Sequence, residues 1–173
     1  MIDFNYYIPT KVFFGKGKEK EIGAILNSYN FKKVMIVTGG GSVEKSGLLR
    51  TILDKIEEFN IQYFILKGVR ANPTVESCRE GVKLAKENNP DLILAIGGGS
   101  TIDCAKNIAC GYFYDGDSFD FNLHVKTPSK ALPIGVILTI SAAGSEMSSS
   151  CVIQDDSSGK KNGFNSDLVR PLR

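Results

Sequence analysis

The sequence predicts an α/β fold with a parallel sheet and helices on both faces, and three observations carry that expectation. Short apolar runs alternate with amphipathic stretches in the order strand, helix, strand, helix, strand. Two of these runs end in the same four residues. Val34 to Thr38 stops at Gly39-Gly40-Gly41-Ser42 and Leu92 to Ile96 stops at Gly97-Gly98-Gly99-Ser100, each ahead of a helical pattern. The chain also has 173 residues, 42% hydrophobic and 23% charged, which suits one soluble domain over residues 1–173.

Taken in order, Phe4 to Ile8 and Lys11 to Phe14 are β-prone runs joined at Pro9-Thr10, and they predict an N-terminal β-hairpin. Gly17 to Tyr29 carries Ile22, Ile25 and Leu26 on one side and predicts a helix covering a sheet face. Lys33 to Thr38 is the first buried strand, followed by a helix from about Glu44 to Phe59 with Leu49, Ile52 and Ile56 at helical spacing. Ile61 to Leu66 is the next strand. Asn72-Pro73-Thr74 then opens a helix with Val75, Cys78, Val82 and Ala85 on one face, ended by Asn89-Pro90. The central strand and its glycine turn follow directly, completing a Rossmann-like alternation. Gly111 to Lys130 is aromatic, acidic and irregular, and reads as a surface excursion. Ala131 to Ile140 is a further strand leading to the small-residue turn Ser141 to Glu146. Cys151 to Gln154 is one more strand, and Asp155 to Lys161 a polar turn.

Function classes narrow by composition. A net charge of +2 carries no polyelectrolyte signal, so nucleic acid is not an expected partner. No apolar run approaches the roughly 20 residues that span a bilayer, and the start lacks a signal-peptide pattern. The expected compartment is the cytoplasm, without a membrane partner. Cys78, Cys104, Cys110 and Cys151 have no paired metal-type spacing and are expected as buried thiols. His124, the one histidine, lies in an irregular polar segment, and no stretch supplies a catalytic zinc or iron ligand set. A serine elbow and a P-loop lysine are both missing.

What remains is the pair of glycine turns. Glycine leaves no Cβ between backbone and ligand, and the free N–H groups of a helix start suit a phosphate. Two such turns at parallel strand ends could line one crevice for a two-phosphate ligand, although two ordinary strand-to-helix connections would look the same. Ser100 and Asp103 fit a capping box, which would account for Asp103 structurally as well as a place near a ligand would. Lys106, one turn on, fits either a solvated helix lysine or a neutraliser of charge at the turn.

Thr38-Gly39-Gly40-Gly41-Ser42, Asn72-Pro73, Gly97 to Ser100 with Asp103 and Lys106, and Ala143-Gly144-Ser145-Glu146 occur in one order over almost the whole chain. In this the sequence resembles the iron-containing (group III) alcohol dehydrogenases, and most of all the butanol dehydrogenase and broad aldehyde reductase branch. The resemblance covers only the N-terminal, cofactor-binding half. It implies a second, all-helical half with an aspartate and three histidines that hold divalent iron or zinc, none of them in this chain. It also implies that Gly97, Gly98, Gly99 and Ser100 hold the pyrophosphate of NADP or NAD with Asp103 close by. Thr139, Ser141 and Ser145 would line the adenine and ribose side, Asn72 and Lys161 would contact cofactor, and Gly39, Gly40, Gly41 and Ser42 would face the adenosine ribose. NAD-preferring relatives tend to carry an aspartate where this chain has Gly39, so the resemblance leans toward NADP. Ile140 and Ala143 stand where the family often has threonines, which leaves those hydroxyl contacts unfilled. A small alcohol or aldehyde substrate and a homodimer are implied for the full-length enzyme, with no activity in this half by itself. A non-catalytic nucleotide-binding module, or half of a polyol or sugar-phosphate dehydrogenase or of a dehydroquinate-synthase-like enzyme, are the competing readings.

Overall fold

The structure is a computed structural model that describes Asp3 and residues 7–172. Its centre is a four-stranded parallel sheet made of β1 (Lys33–Gly39), β2 (Gln62–Val69), β3 (Leu92–Gly97) and β4 (Ile134–Leu138), in the order β2-β1-β3-β4. Every residue of β3 is buried, as a strand covered on both faces must be. Side chains alternate between the two faces. Met35, Val37, Ile93 and Ala95 enter one core cluster, while Val34, Ile36, Leu92, Leu94 and Ile96 enter the other.

The second cluster is closed by α1 (Ile22–Ser28) and α3 (Leu48–Glu57), which contribute Ile22, Leu26, Leu49, Ile52 and Ile56. The two helices approach so closely that a Cβ on Gly23 would stand 1.9 Å from the Lys55 carbonyl oxygen. The first cluster is closed by α4 (Val75–Asn88) and α5 (Gly99–Gly111). Thr74 caps α4, its hydroxyl accepting from the Ser77 N–H at 3.3 Å. Against α5 lies an antiparallel hairpin of β5 (Ser150–Asp155) and β6 (Lys160–Asn165), burying Cys151, Ile153 and Phe164.

Several expectations need correction. The helix predicted from Glu44 to Phe59 is two helices, α2 (Ser42–Lys45) and α3, divided at Gly47 with φ +77°. Gly17 to Tyr29 opens as a 3₁₀ turn over Lys18–Glu21 before α1. The segment after α5 is not a mere surface excursion. It forms a 3₁₀ turn at Ser118–Phe121 and buries Phe119, Phe121 and Asn122, with Phe121 packed between Tyr114 and Phe164. β6 was not expected because Lys-Lys-Asn-Gly-Phe-Asn has no apolar alternation, and it is held by its ladder to β5.

Of the predicted N-terminal hairpin, residues 4–6 lie outside the described residues, and Lys11 to Phe14 forms no strand. The arm is tied to the chain's other end instead, through Lys11 N–H to Leu172 O and Thr10 Oγ1 to Pro171 O, both 3.0 Å. No helix among the described residues is long and apolar enough to cross a membrane.

Candidate functional site

β1 lies between β2 and β3, so the chain leaves β1 to one side and returns on the other. At such a reversal the connections diverge and leave a crevice beyond the carboxyl ends of the two inner strands. Thr38 is level with Ile96, so both glycine turns open into this crevice side by side.

The turn at the end of β3 is tightly surrounded. A Cβ on Gly97 would stand 2.5 Å from Thr101 Oγ1, one on Gly98 would stand 2.7 Å from Ile140 Cγ2, and one on Gly99 would stand 3.3 Å from Ser145 Oγ. The segment from Thr139 to Ser145 therefore roofs the turn, anchored where the Thr139 N–H meets Gly97 O at 3.1 Å. Gly98 occupies the N-cap of α5 and no side chain caps it, so the first N–H groups of the helix have no intrahelical partner. The turn at the end of β1 is different. No atom lies within 4 Å of a Cβ built on Gly40 or Gly41, Gly41 has φ +100°, and the helix that follows has only four residues.

The expected capping box does not form. Ser100 lies inside α5, beyond the N-cap, and its Oγ accepts the Asn72 N–H at 3.2 Å. Asp103 is taken by a partner 49 residues away, its Oδ2 accepting the Val152 N–H at 3.1 Å. Its Oδ1 is buried without a hydrogen-bond partner. Burial pushes the Asp103 carboxyl above its ordinary value of 3.8, against the pull of the Val152 N–H and the Lys106 ammonium.

Lys106 is not a solvated helix lysine. It is fully buried, and its ammonium donates to Ser148 O (2.9 Å), Ser148 Oγ (3.2 Å) and Ser150 O (2.8 Å), three acceptors for three protons. Burial lowers its pKa, with the Asp103 carboxylate acting the other way. One turn on, buried Asn107 donates to Ser118 O and to Asn122 Oδ1, and Asn122 donates to Cys151 O and Asn162 O. Asp103, Lys106 and Asn107 sit at i, i+3 and i+4, so one face of α5 holds the β5–β6 hairpin and the loop leading to it.

Asn72 and Lys161 come together, with Lys161 Nζ donating to Asn72 Oδ1 at 2.8 Å. Asn72 holds φ +57°, and the neighbouring Pro73 carbonyl accepts the Gln154 N–H at 2.9 Å, which fixes the hairpin above the crevice. Of the residues expected at one site, Gly39 to Ser42, Asn72, Gly97 to Ser100, Asp103, Thr139, Ser145 and Lys161 are thus gathered around two adjacent strand ends. Ser141 stands apart, exposed and pairing with nothing among the described residues. The tethers from Ser148 and Ser150 to Lys106 were missed. A lysine flanked by Cys104, Ala105, Ile108 and Ala109 is the signal that could have revealed them.

A two-phosphate nucleotide fits this crevice: a glycine cradle in which a Cβ at Gly97 or Gly98 would collide with Thr101 or Ile140, uncapped helix N–H groups, and a cation at Lys161. A metal does not. Among the described residues no group of three His, Cys, Asp or Glu could hold one, and His124 is exposed on a loop. All four cysteines are buried and free. The Cys78 and Cys104 sulfurs lie 3.9 Å apart, and burial pushes the Cys110 thiol up to about 12.

Comparison with known proteins agrees with this geometry. The family model for iron-containing alcohol dehydrogenase matches residues 9–172. NADH-dependent butanol dehydrogenase A of Clostridium acetobutylicum is 47% identical over 99% of this chain and 44% of its own length. NADPH-dependent aldehyde reductase YqhD of Escherichia coli is 34% identical over 99% and 44%. The crystal structure of NADH-dependent butanol dehydrogenase A from Thermotoga maritima superposes with a TM-score of 0.95 at 36% identity, over 98% of this chain and 42% of that one. The chain therefore spans less than half the length of these relatives. With its two glycine turns, its switch-point crevice and its matched span from residue 9 to 172, it belongs to the iron-containing alcohol dehydrogenase family.

Proposed function

We propose that this chain is the NAD(P)-binding part of a metal-dependent oxidoreductase that interconverts primary alcohols and aldehydes. The observation that carries the reading is the uncapped start of α5 at a glycine turn where a Cβ on Gly97 or Gly98 would collide with Thr101 or Ile140, at the switch point of the sheet. The α5 N–H groups and the helix dipole would bind the pyrophosphate, with Lys161 as its counter-charge. Thr139 and Ser145 lie on the adenosine side, and Gly39 to Ser42 face the ribose. Asp103 acts from beneath as a positioning residue, holding the Val152 N–H and so the hairpin that closes the crevice.

When bound, the nicotinamide supplies or accepts the hydride, and this chain's residues bind and orient it while keeping water from the pyrophosphate. Relatives named as butanol dehydrogenases and an aldehyde reductase support the substrate class. Relatives named for NADH and for NADPH both occur, and Gly39 places no carboxylate against a 2′-phosphate, so NADPH belongs among the cofactors this chain accepts.

Titration of NADH and NADPH into the intact protein, followed by reduced-nicotinamide fluorescence, tests the binding role. Saturable binding that Gly98→Val abolishes is the expected result, because its side chain would meet Ile140. Binding that survives this substitution would remove the cradle from the account. Since no metal-ligand cluster exists among the described residues, a purely nucleotide-binding role is the competing reading. Metal-dependent oxidation of butanol by the intact protein separates the two, whereas residues 1–173 by themselves are expected to be inactive.

A further inference from the structure

The geometry points to Arg70 as the residue that discriminates the 2′-phosphate of NADPH from the 2′-hydroxyl of NADH, an inference that rests on the cofactor reading above. Arg70 directly follows Val69, whose register partner across the sheet is Gly39. The Val69 carbonyl oxygen lies 3.4 Å from the position a Gly39 Cβ would take, so the backbone entering Arg70 forms one wall of the ribose corner. Two residues on, Asn72 is bonded to Ser100 and Lys161. Arg70 thus leaves the edge strand β2 beside the first glycine turn, and the chain then crosses toward the second turn through Asn72.

Its head is only partly engaged. Nη2 donates to both carboxylate oxygens of Asp156 at 2.5 Å, while Nε and Nη1 have no partner among the described residues and the side chain is 52% exposed. Asp156 is itself steadied by Gln154 Nε2 at 2.8 Å, so the guanidinium is held in place with half of its fork open. A planar fork with two free N–H directions suits a phosphate. The surrounding charge agrees. Glu44, just past the first turn, is paired with Lys67 at 2.7 Å, and Asp156 is paired with Arg70 itself. With Gly39 contributing no acid, a dianion would meet the open side of the Arg70 guanidinium and carboxylates that are already paired.

The alternative is that the Arg70–Asp156 pair only pins the hairpin tip, as exposed ion pairs often do to little effect. Four ligands distinguish the two: NADPH and NADH, and the fragments 2′-phosphoadenosine 5′-phosphate and 5′-AMP, each titrated into the intact protein. Arg70→Gln is expected to weaken NADPH and the bisphosphate about tenfold, the scale of one charge-assisted hydrogen bond, while NADH and 5′-AMP move less than about twofold. Arg70→Lys should recover part of the loss. Asp156→Asn breaks the same ion pair and keeps the guanidinium, so it should retain or tighten NADPH binding.

Equal losses for phosphorylated and unphosphorylated ligands, or a loss in Asp156→Asn as large as in Arg70→Gln, would overturn the assignment in favour of hairpin pinning. Unchanged binding in Arg70→Gln would overturn it outright. Failure of the native protein to bind any of the four ligands would instead overturn the cofactor reading, and this inference with it.

Discussion

Gly39–Ser42 and Gly97–Ser100 share one sequence and differ in almost everything else. At the second turn the glycines are required by neighbours: Thr101, Ile140 and Ser145 occupy the space their side chains would need. At the first turn only Gly41 answers a backbone demand, with φ +100°, and Gly40 has neither a positive φ nor an atom within 4 Å of its Cβ position. One turn feeds a 13-residue helix anchored in the core, the other a four-residue helix at the surface. Identical letters thus mark a closed cradle in one place and an open lip in the other, and the sequence pattern does not distinguish them. What distinguishes them is the Thr139–Ser145 segment, which reaches only the second.

The comparison breaks most forcefully at Lys106, because its ammonium ties down Ser148 and Ser150, the stretch that carries the chain from the roof of the second turn into β5. Lys106→Met leaves the Ser148 and Ser150 carbonyls without their donor and removes the cation that favours the Asp103 carboxylate, and should cost about 3 kcal/mol or more by denaturant unfolding. Cofactor affinity should fall with it. If stability and affinity are both unchanged, the Ser148–Ser150 stretch is held by something else. Gly97→Ala comes next, at about 2 kcal/mol, because the added methyl group must displace Thr101 in the first turn of α5.

A smaller effect appears in the pH dependence. The Asp103 carboxyl is raised in the folded chain, so folding favours its protonated form. Its contribution to stability is complete below about 3.8 and is lost as pH rises through the elevated folded value. Asp103→Asn should flatten the stability profile in that window and cost under about 1 kcal/mol at neutral pH, since an amide oxygen can still accept the Val152 N–H. A profile identical to the native one would show that the carboxyl titrates normally. The smallest change sharpens the contrast: Gly40→Ala should stay within about 0.5 kcal/mol of native, against the large loss at Gly97. Equal costs at the two positions would erase the distinction between cradle and lip.

Much of the scaffold was legible because it rests on local pattern. β1 and β3 are continuous apolar runs and are buried on both faces, while α3 repeats its apolar residues at helical spacing. The Ser46-Gly47 pair that divides α2 from α3 was visible, yet apolar periodicity ran across it and suggested one helix. The candidate site was legible as a list of residues, drawn largely from a family resemblance, and not as a mechanism of assembly. Ser100 and Asp103 carry the spacing of a cap, but three preceding glycines let the helix start earlier, and partners from Asn72 and Val152 take both side chains. Lys106 and Arg70 belong to the same class. Each is an ordinary helix or loop cation by sequence, and its role is set by residues more than 40 positions away.

That distance has a consequence for how the protein comes to be. The bonds that shape the crevice join Asn72 to Ser100, Asp103 to Val152, Lys106 to Ser150 and Asn72 to Lys161, so they close only after nearly the whole chain has been placed. The sheet can form from β1, β2 and β3 before the hairpin arrives, whereas the crevice cannot, and such long-range closures are slow. Recovery of nucleotide binding after dilution from denaturant is therefore expected to lag behind recovery of secondary structure, making the ligand a reporter of the last step of folding.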